Sequence, residues 1–299
     1  MSRGFESAFP FQALTTPRVL RNPRIWVMLF FALGPLVEFS LSPGEHELVL
    51  FLVAYFATAW CAFLYVFVFK GTSLWLGVAA AAFSLFVGYP IDLLLAHVPP
   101  FTWLYHLLSA PAGFERFISY VFGVGVEEEA IKAIPVLLLG FALGRVKKPI
   151  DAIFFSVFSG FGFAINESSK YIAGMHNPAG ILGQTLLRNA TMPFLHGAWT
   201  AVSGYFIAIA VVKKSRQATY VGFGIALAAI VHGCFDGAPD GIPTVLAGLL
   251  AFSLFVGYIV RSEDLSHGSE VGEQEKQPGA ILTVASGGDI AAGAGGAIL

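Results

Sequence analysis

Three consecutive glutamates and a lysine, Glu127, Glu128, Glu129 and Lys132, interrupt the apolar stretch "GVGVEEEAIKAIPVLLLG" at residues 123–140. Glu128 and Glu129 lie four and three residues before Lys132, so on a helix one ammonium can approach either carboxylate. "GFGFAINESSKY" adds Asn166 and Glu167, "RNATMPFLHGAWT" adds His196, and "AAIVHGCFDG" adds His232 and Asp236 at i,i+4. His196 and Thr200 repeat that spacing, which offers a hydroxyl to fix an imidazole tautomer. Crowded carboxylates can share a proton, giving one group to activate water and another to protonate a leaving amide nitrogen. Histidines beside them can donate to the oxyanion that forms when water attacks a peptide carbonyl. Two histidines and two carboxylates are also an acceptable zinc set with an open position for water, although no His-Glu-x-x-His helix occurs. The residues favour metal-free hydrolysis, with no cofactor; zinc is the alternative.

The elements that must position these groups follow from composition. The chain has 299 residues, 56% hydrophobic and only 12% charged, with 29 Phe and a mean hydropathy of +0.74. Those values exclude an ordinary soluble domain. Apolar blocks long enough to cross a ~30 Å hydrocarbon core predict an all-α, polytopic transmembrane helical bundle of about eight spans. They fall at residues 23–41, 47–69, 73–95, 117–144, 150–172, 187–212, 219–235 and 242–260.

Basic residues alternate accordingly. Arg3, Arg18, Arg21, Arg24, Lys70, Arg145, Lys147, Lys148, Lys213, Lys214, Arg216 and Arg261 share one side, and only Arg116, Lys170 and Arg188 fall on the other. The positive-inside rule then places both termini in the cytosol of a multi-pass cell-membrane protein. Residues 1–22 read as a retained cytosolic arm rather than a cleaved signal peptide, 23–261 as the membrane domain, and 262–299 as a disordered cytosolic tail. Two isolated cysteines, Cys61 and Cys234, make no disulfide framework. No Walker sequence, dinucleotide fingerprint or basic patch points to a nucleotide or nucleic-acid partner.

Counting from the cytosolic charges places the polar groups at one depth. Glu128 lies 17 residues before Arg145, Glu167 19 after Lys148, His196 17 before Lys213 and His232 16 after Arg216. At 1.5 Å per residue all four sit about 24–28 Å above the cytosolic belt, in the outer part of the membrane. A structural network is the plain alternative, but interhelical hydrogen bonds contribute only about 0.6 kcal/mol, whereas a charge near midmembrane costs ~2.5–3.5 kcal/mol. Glu127 points about 100° from Glu128 and reads as structural. "FSGFGF" reads as close helix packing rather than a cofactor site. A proton-coupled transporter is the main non-enzymatic alternative, but its polar groups should extend through both halves of the membrane, and the cytosolic halves here are apolar.

These residues, in this order, resemble the PrsW family of glutamate-dependent intramembrane proteases, more distantly similar to the CAAX-prenyl-protease and bacteriocin-processing family. Glu128, Glu129 and Lys132 match its Glu-Glu-x-x-Lys motif, "FAINES" matches Phe-Ala-x-x-Glu at Glu167, and His196, His232 and Asp236 match the later positions. Ser168 stands where Asn is expected. The resemblance implies an endopeptidase of glutamic rather than metallo type, cutting membrane-associated proteins near the extracytoplasmic side. Its expected partner is a single-span substrate of the anti-sigma-factor kind, within the lipid bilayer; oligomeric state is left open. On that basis Glu128 or Glu129 would activate water and Glu167 would orient it or exchange its proton. His196 and His232 would stabilise the oxyanion, Asp236 would orient His232, and Lys132 would give electrostatic support.

Overall fold

A computed structural model describes Pro17 and residues 45–111, 113–173, 178–239 and 241–275, all α-helical apart from turns and short π-helical segments. In chain order the helices are α1 (Glu45–Phe67), α2 (Leu74–Phe83), α3 (Tyr89–Leu95), α4 (Phe101–Leu107), α5 (Phe114–Ile118), α6 (Val126–Leu137), α7 (Pro149–Ala173), α8 (Pro178–Lys213), α9 (Gln217–Asp236) and α10 (Ile242–Glu275). π-Helical turns at Ser84–Gly88, Ser119–Gly125 and Leu138–Ala142 join α2 to α3, join α5 to α6, and end α6.

Among the described residues, five helices are long and apolar enough to cross a membrane: Leu74–Leu95, Pro149–Tyr171, Leu186–Lys213, Gln217–Asp236 and Ile242–Asp264. This is a multi-span membrane protein, but the expectation of about eight spans is corrected to five candidate spans. The span expected at 23–41 lies outside the described residues. The one expected at 47–69 coincides with α1, Glu45–Phe67, within which Phe51–Phe67 forms a shorter apolar helix outside the five. The one expected at 117–144 is not among the five because four ionisable residues fall within six positions of α6. Of the proposed N-terminal arm only Pro17 is described. α10 runs on to Glu275, past residue 261, and the rest of the tail lies outside the described residues.

α7 and α8 form the centre of the bundle, with 78% and 83% of their most apolar windows buried, against 11% for α10. A phenylalanine cluster, Phe69, Phe154, Phe155, Phe158 and Phe161, fills the apolar half around them. Glycines let backbones approach where the polar residues emerge. A Cβ on Gly160 of "FSGFGF" would stand 2.5 Å from the His196 carbonyl oxygen, so α7 and α8 touch backbone to backbone beside His196. A Cβ on Gly125 would stand 2.4 Å from the Ala229 carbonyl oxygen, which seats α9 against the start of α6 and brings His232 to the glutamates.

Candidate metal centre

α6 carries Glu127, Glu128, Glu129 and Lys132, all buried. Lys132 Nζ lies 2.9 Å from Glu128 Oε2, from Glu129 Oε1 and from His196 Nδ1, so each of its three N–H groups has an acceptor. The two carboxylate contacts follow from spacing along one helix; the histidine contact depends on the approach of α6 to α8. The ammonium also faces the Phe163 ring, 4.5 Å from its centroid. A buried cation is tolerable here because carboxylates and an aromatic face replace its water.

Glu129 joins three helices. Its Oε1 accepts from Lys132 and from His232 Nδ1 at 3.0 Å, and its Oε2 accepts from Thr200 Oγ1 at 3.0 Å. Thr200 also reaches the His196 carbonyl at 2.9 Å, so its hydroxyl is engaged by Glu129 and backbone. That corrects the expectation that Thr200 would fix the His196 imidazole, since Lys132 meets that ring instead. Trp199 stacks on His232 with centroids 4.0 Å apart and planes 15° from parallel, which holds the imidazole flat against α8.

With Nδ1 donating to Glu129, a neutral His232 turns its Nε2 lone pair towards Asp236 Oδ2 at 3.2 Å and Glu128 Oε2 at 3.8 Å. A lone pair facing two carboxylates is relieved by a cation between them. His196 differs: with Nδ1 accepting from Lys132, a neutral ring carries its proton on Nε2, which lies 2.6 Å from Glu167 Oε2 outside hydrogen-bond geometry, both atoms being buried without a hydrogen-bond partner, and ligation through Nε2 would pass that proton on. Glu128, His196 and His232 can each bring one ligand atom within 4.8 Å of the others. Two imidazoles and a carboxylate suit zinc, and Glu129 behind His232 is the kind of outer carboxylate that fixes a ligand histidine's tautomer. The residues fit a metal ion.

The cluster opens on a cavity of about 620 Å³ whose wall includes Tyr89, Asp92, Glu128, Glu167, Arg188 and Asp236. Glu128, Glu129, Glu167, His196, His232 and Asp236 are thus brought into one set of contacts from α6, α7, α8 and α9, while Glu127 makes none of these contacts. Sequence reasoning passed over Asp92 and Arg188. Asp92 had a usable signal, a carboxylate in an apolar span. Arg188 had a misleading one: 25 residues before Lys213 puts it about 37 Å above the basic belt, and only its long side chain brings the guanidinium down to Glu167, 2.7 Å away.

A family model described as PrsW family intramembrane metalloprotease matches residues 72–260. "Protease PrsW" of Shouchella clausii (strain KSM-K16) is 28% identical over 112 residues, 38% of this chain and 50% of that protein, so the match spans half the relative's length. No solved structure matches the chain. Two expectations are overturned by the family model together with the Glu128, His196 and His232 cluster. The preference for a glutamic over a metallo type of peptidase, and the expectation of no cofactor, both gave way because the tertiary fold gathers nitrogen and oxygen donors that spacing along the chain leaves on separate helices. By the extent of the family match, the chain belongs to the PrsW family of intramembrane metalloproteases.

Proposed function

We propose that this chain is a zinc-dependent intramembrane endopeptidase that cuts membrane-associated proteins near the extracytoplasmic side. The observation that carries the reading is the buried Glu128, His196 and His232 set beside a cavity that also exposes Glu167 and Asp236, built on helices apolar enough to span a membrane. Its sidedness is supported by the basic loops at 145–148 and 213–216, which lie at the opposite ends of the site-bearing helices. Single-span proteins of the anti-sigma-factor kind are the substrate class that the family resemblance implies.

Glu128, His196 and His232 would hold the ion, which when bound polarises a carbonyl and lowers the cost of forming hydroxide from water. Glu167, on the cavity wall and against His196, is placed to take the water's proton and return it to the amide nitrogen as the C–N bond breaks. Asp236 offers a second carboxylate on the cavity wall beside His232 Nε2, able to hold water or a substrate N–H. Glu129 orients His232 through Nδ1, and Lys132 balances the charge of Glu128 and Glu129. Apolar helices around the cluster limit bulk water, so hydrolysis depends on what enters through the cavity.

The test is cleavage of a panel of single-span substrates by purified full-length protein in lipid nanodiscs, with metal analysis. Expected are bound zinc, loss of cleavage on strong chelation and its return with added zinc, and loss of both zinc and cleavage in Glu128→Gln, His196→Ala and His232→Ala. Cleavage that persists in a chelated, zinc-free protein would overturn the metal-dependent reading.

A further inference from the structure

Arg188 opens the stretch that carries His196, eight residues on, and contacts a carboxylate on the cavity wall. Its Nη2 donates to Glu167 Oε1 at 2.7 Å, and its guanidinium carbon lies 3.8 Å from the centroid of the Tyr171 ring. Glu167 and Tyr171 are four residues apart on α7, hence neighbours on one helix face, and Arg188 reaches across from α8 to lie against both. The pair is mostly withdrawn from solvent, with side chains 18% and 20% exposed. A planar guanidinium can stack on a ring while donating in its plane to a carboxylate, which a lysine ammonium cannot do.

We propose that Arg188 is a positioning residue: stacked on Tyr171, it holds Glu167 Oε1 and thereby fixes Glu167 Oε2 against His196. A glutamate on a cavity wall has three rotatable side-chain bonds and can swing into the open volume. With one oxygen tied to Arg188, the other is held 2.6 Å from His196 Nε2, where it limits the motion of a ligand imidazole and stands ready for a proton. The inference deepens the metal-dependent peptidase reading and rests on it for the meaning of that position.

The test compares Arg188→Met, Arg188→Lys, Glu167→Gln and the Arg188→Met/Glu167→Gln double variant as full-length protein, folded by circular dichroism and size-exclusion behaviour. Zinc affinity is read by competition with a chromogenic chelator, and kcat and KM with one single-span substrate. Arg188→Met should weaken zinc binding and lower kcat by about 10–100-fold, the usual range for an outer-shell partner, with KM nearly unchanged. Arg188→Lys should recover part of the loss, and Arg188→Met should add nothing in the Glu167→Gln background.

Independent, multiplying effects of the two substitutions, or a change in KM alone, would overturn the proposal. Linked losses in zinc affinity without any cleavage would support Arg188 and defeat the peptidase reading. Linked losses in kcat without zinc would support Arg188 and defeat the metal. Neither zinc binding nor cleavage would defeat both. If Arg188→Met does not fold, Arg188→Lys decides, and wild-type zinc affinity and kcat in it would count against the clamp.

Discussion

Two groups of ionisable side chains meet at His196, and they differ in what surrounds them. On the Nδ1 side, Lys132 and Glu129 are 0% exposed and fully engaged with one another, with His232 and with Thr200. On the Nε2 side, Glu167 and Arg188 keep 18–20% of their side-chain surface and line the cavity, as does Asp236, 23% exposed, beside the neighbouring His232 Nε2. A closed ionic knot can fix geometry but cannot trade protons with substrate. A partly open wall can do so, provided something else holds it in place. The difference separates the residues that build the centre from those that face what it acts on.

Removing Lys132 should have the largest effect. Lys132→Met leaves Glu128 and Glu129 buried without their counter-charge, so about 3–5 kcal/mol of stability should go, measured by chemical unfolding in mixed micelles, and cleavage should go with it. If the variant were as stable as wild type, the knot would not be structural. Glu167→Gln should do the reverse, lowering kcat by about 10²–10⁴-fold as for loss of a general acid–base group while the unfolding midpoint stays near wild type. Equal losses of stability from both substitutions would erase the proposed division.

Smaller effects test the joint between the groups. Gly160→Ala places a Cβ against the His196 backbone, where nothing flexible can yield. It should cost about 1–3 kcal/mol by overpacking and reduce zinc affinity by shifting His196, which a chelator competition would read. Thr200→Val removes one donor to Glu129 and should cost about 1 kcal/mol, visible in the same unfolding assay with little change in kcat. A Thr200→Val variant with intact stability but lost activity would move Thr200 from the knot to the chemistry.

Membrane class was legible in the sequence because apolar content and block length leave no soluble alternative. Span number was not. Block counting treats α6 and its flanking π turns as one span, yet four ionisable residues within six positions make it the seat of the site instead. The i,i+3 and i,i+4 pairs of Lys132 and of His232 with Asp236 were readable, since a helix alone brings such residues together. The partner of Thr200 was not, because spacing along α8 pointed only to His196, and the approach of α6 to α8 brought Glu129 to the hydroxyl. Arg188 was misplaced for a related reason: counting residues locates a Cα, whereas the guanidinium acts at the end of a long side chain.

By itself the sequence determined that costly polar residues lie at a shared depth on several apolar helices, since both the cost and the depth are properties of residue type and helical rise. Only the tertiary structure decided which atoms face one another. Bond-forming distances between Glu129 and His232, Lys132 and His196, and Arg188 and Glu167 arise from helices crossing where glycine permits contact, and no periodicity along one strand of sequence encodes that approach.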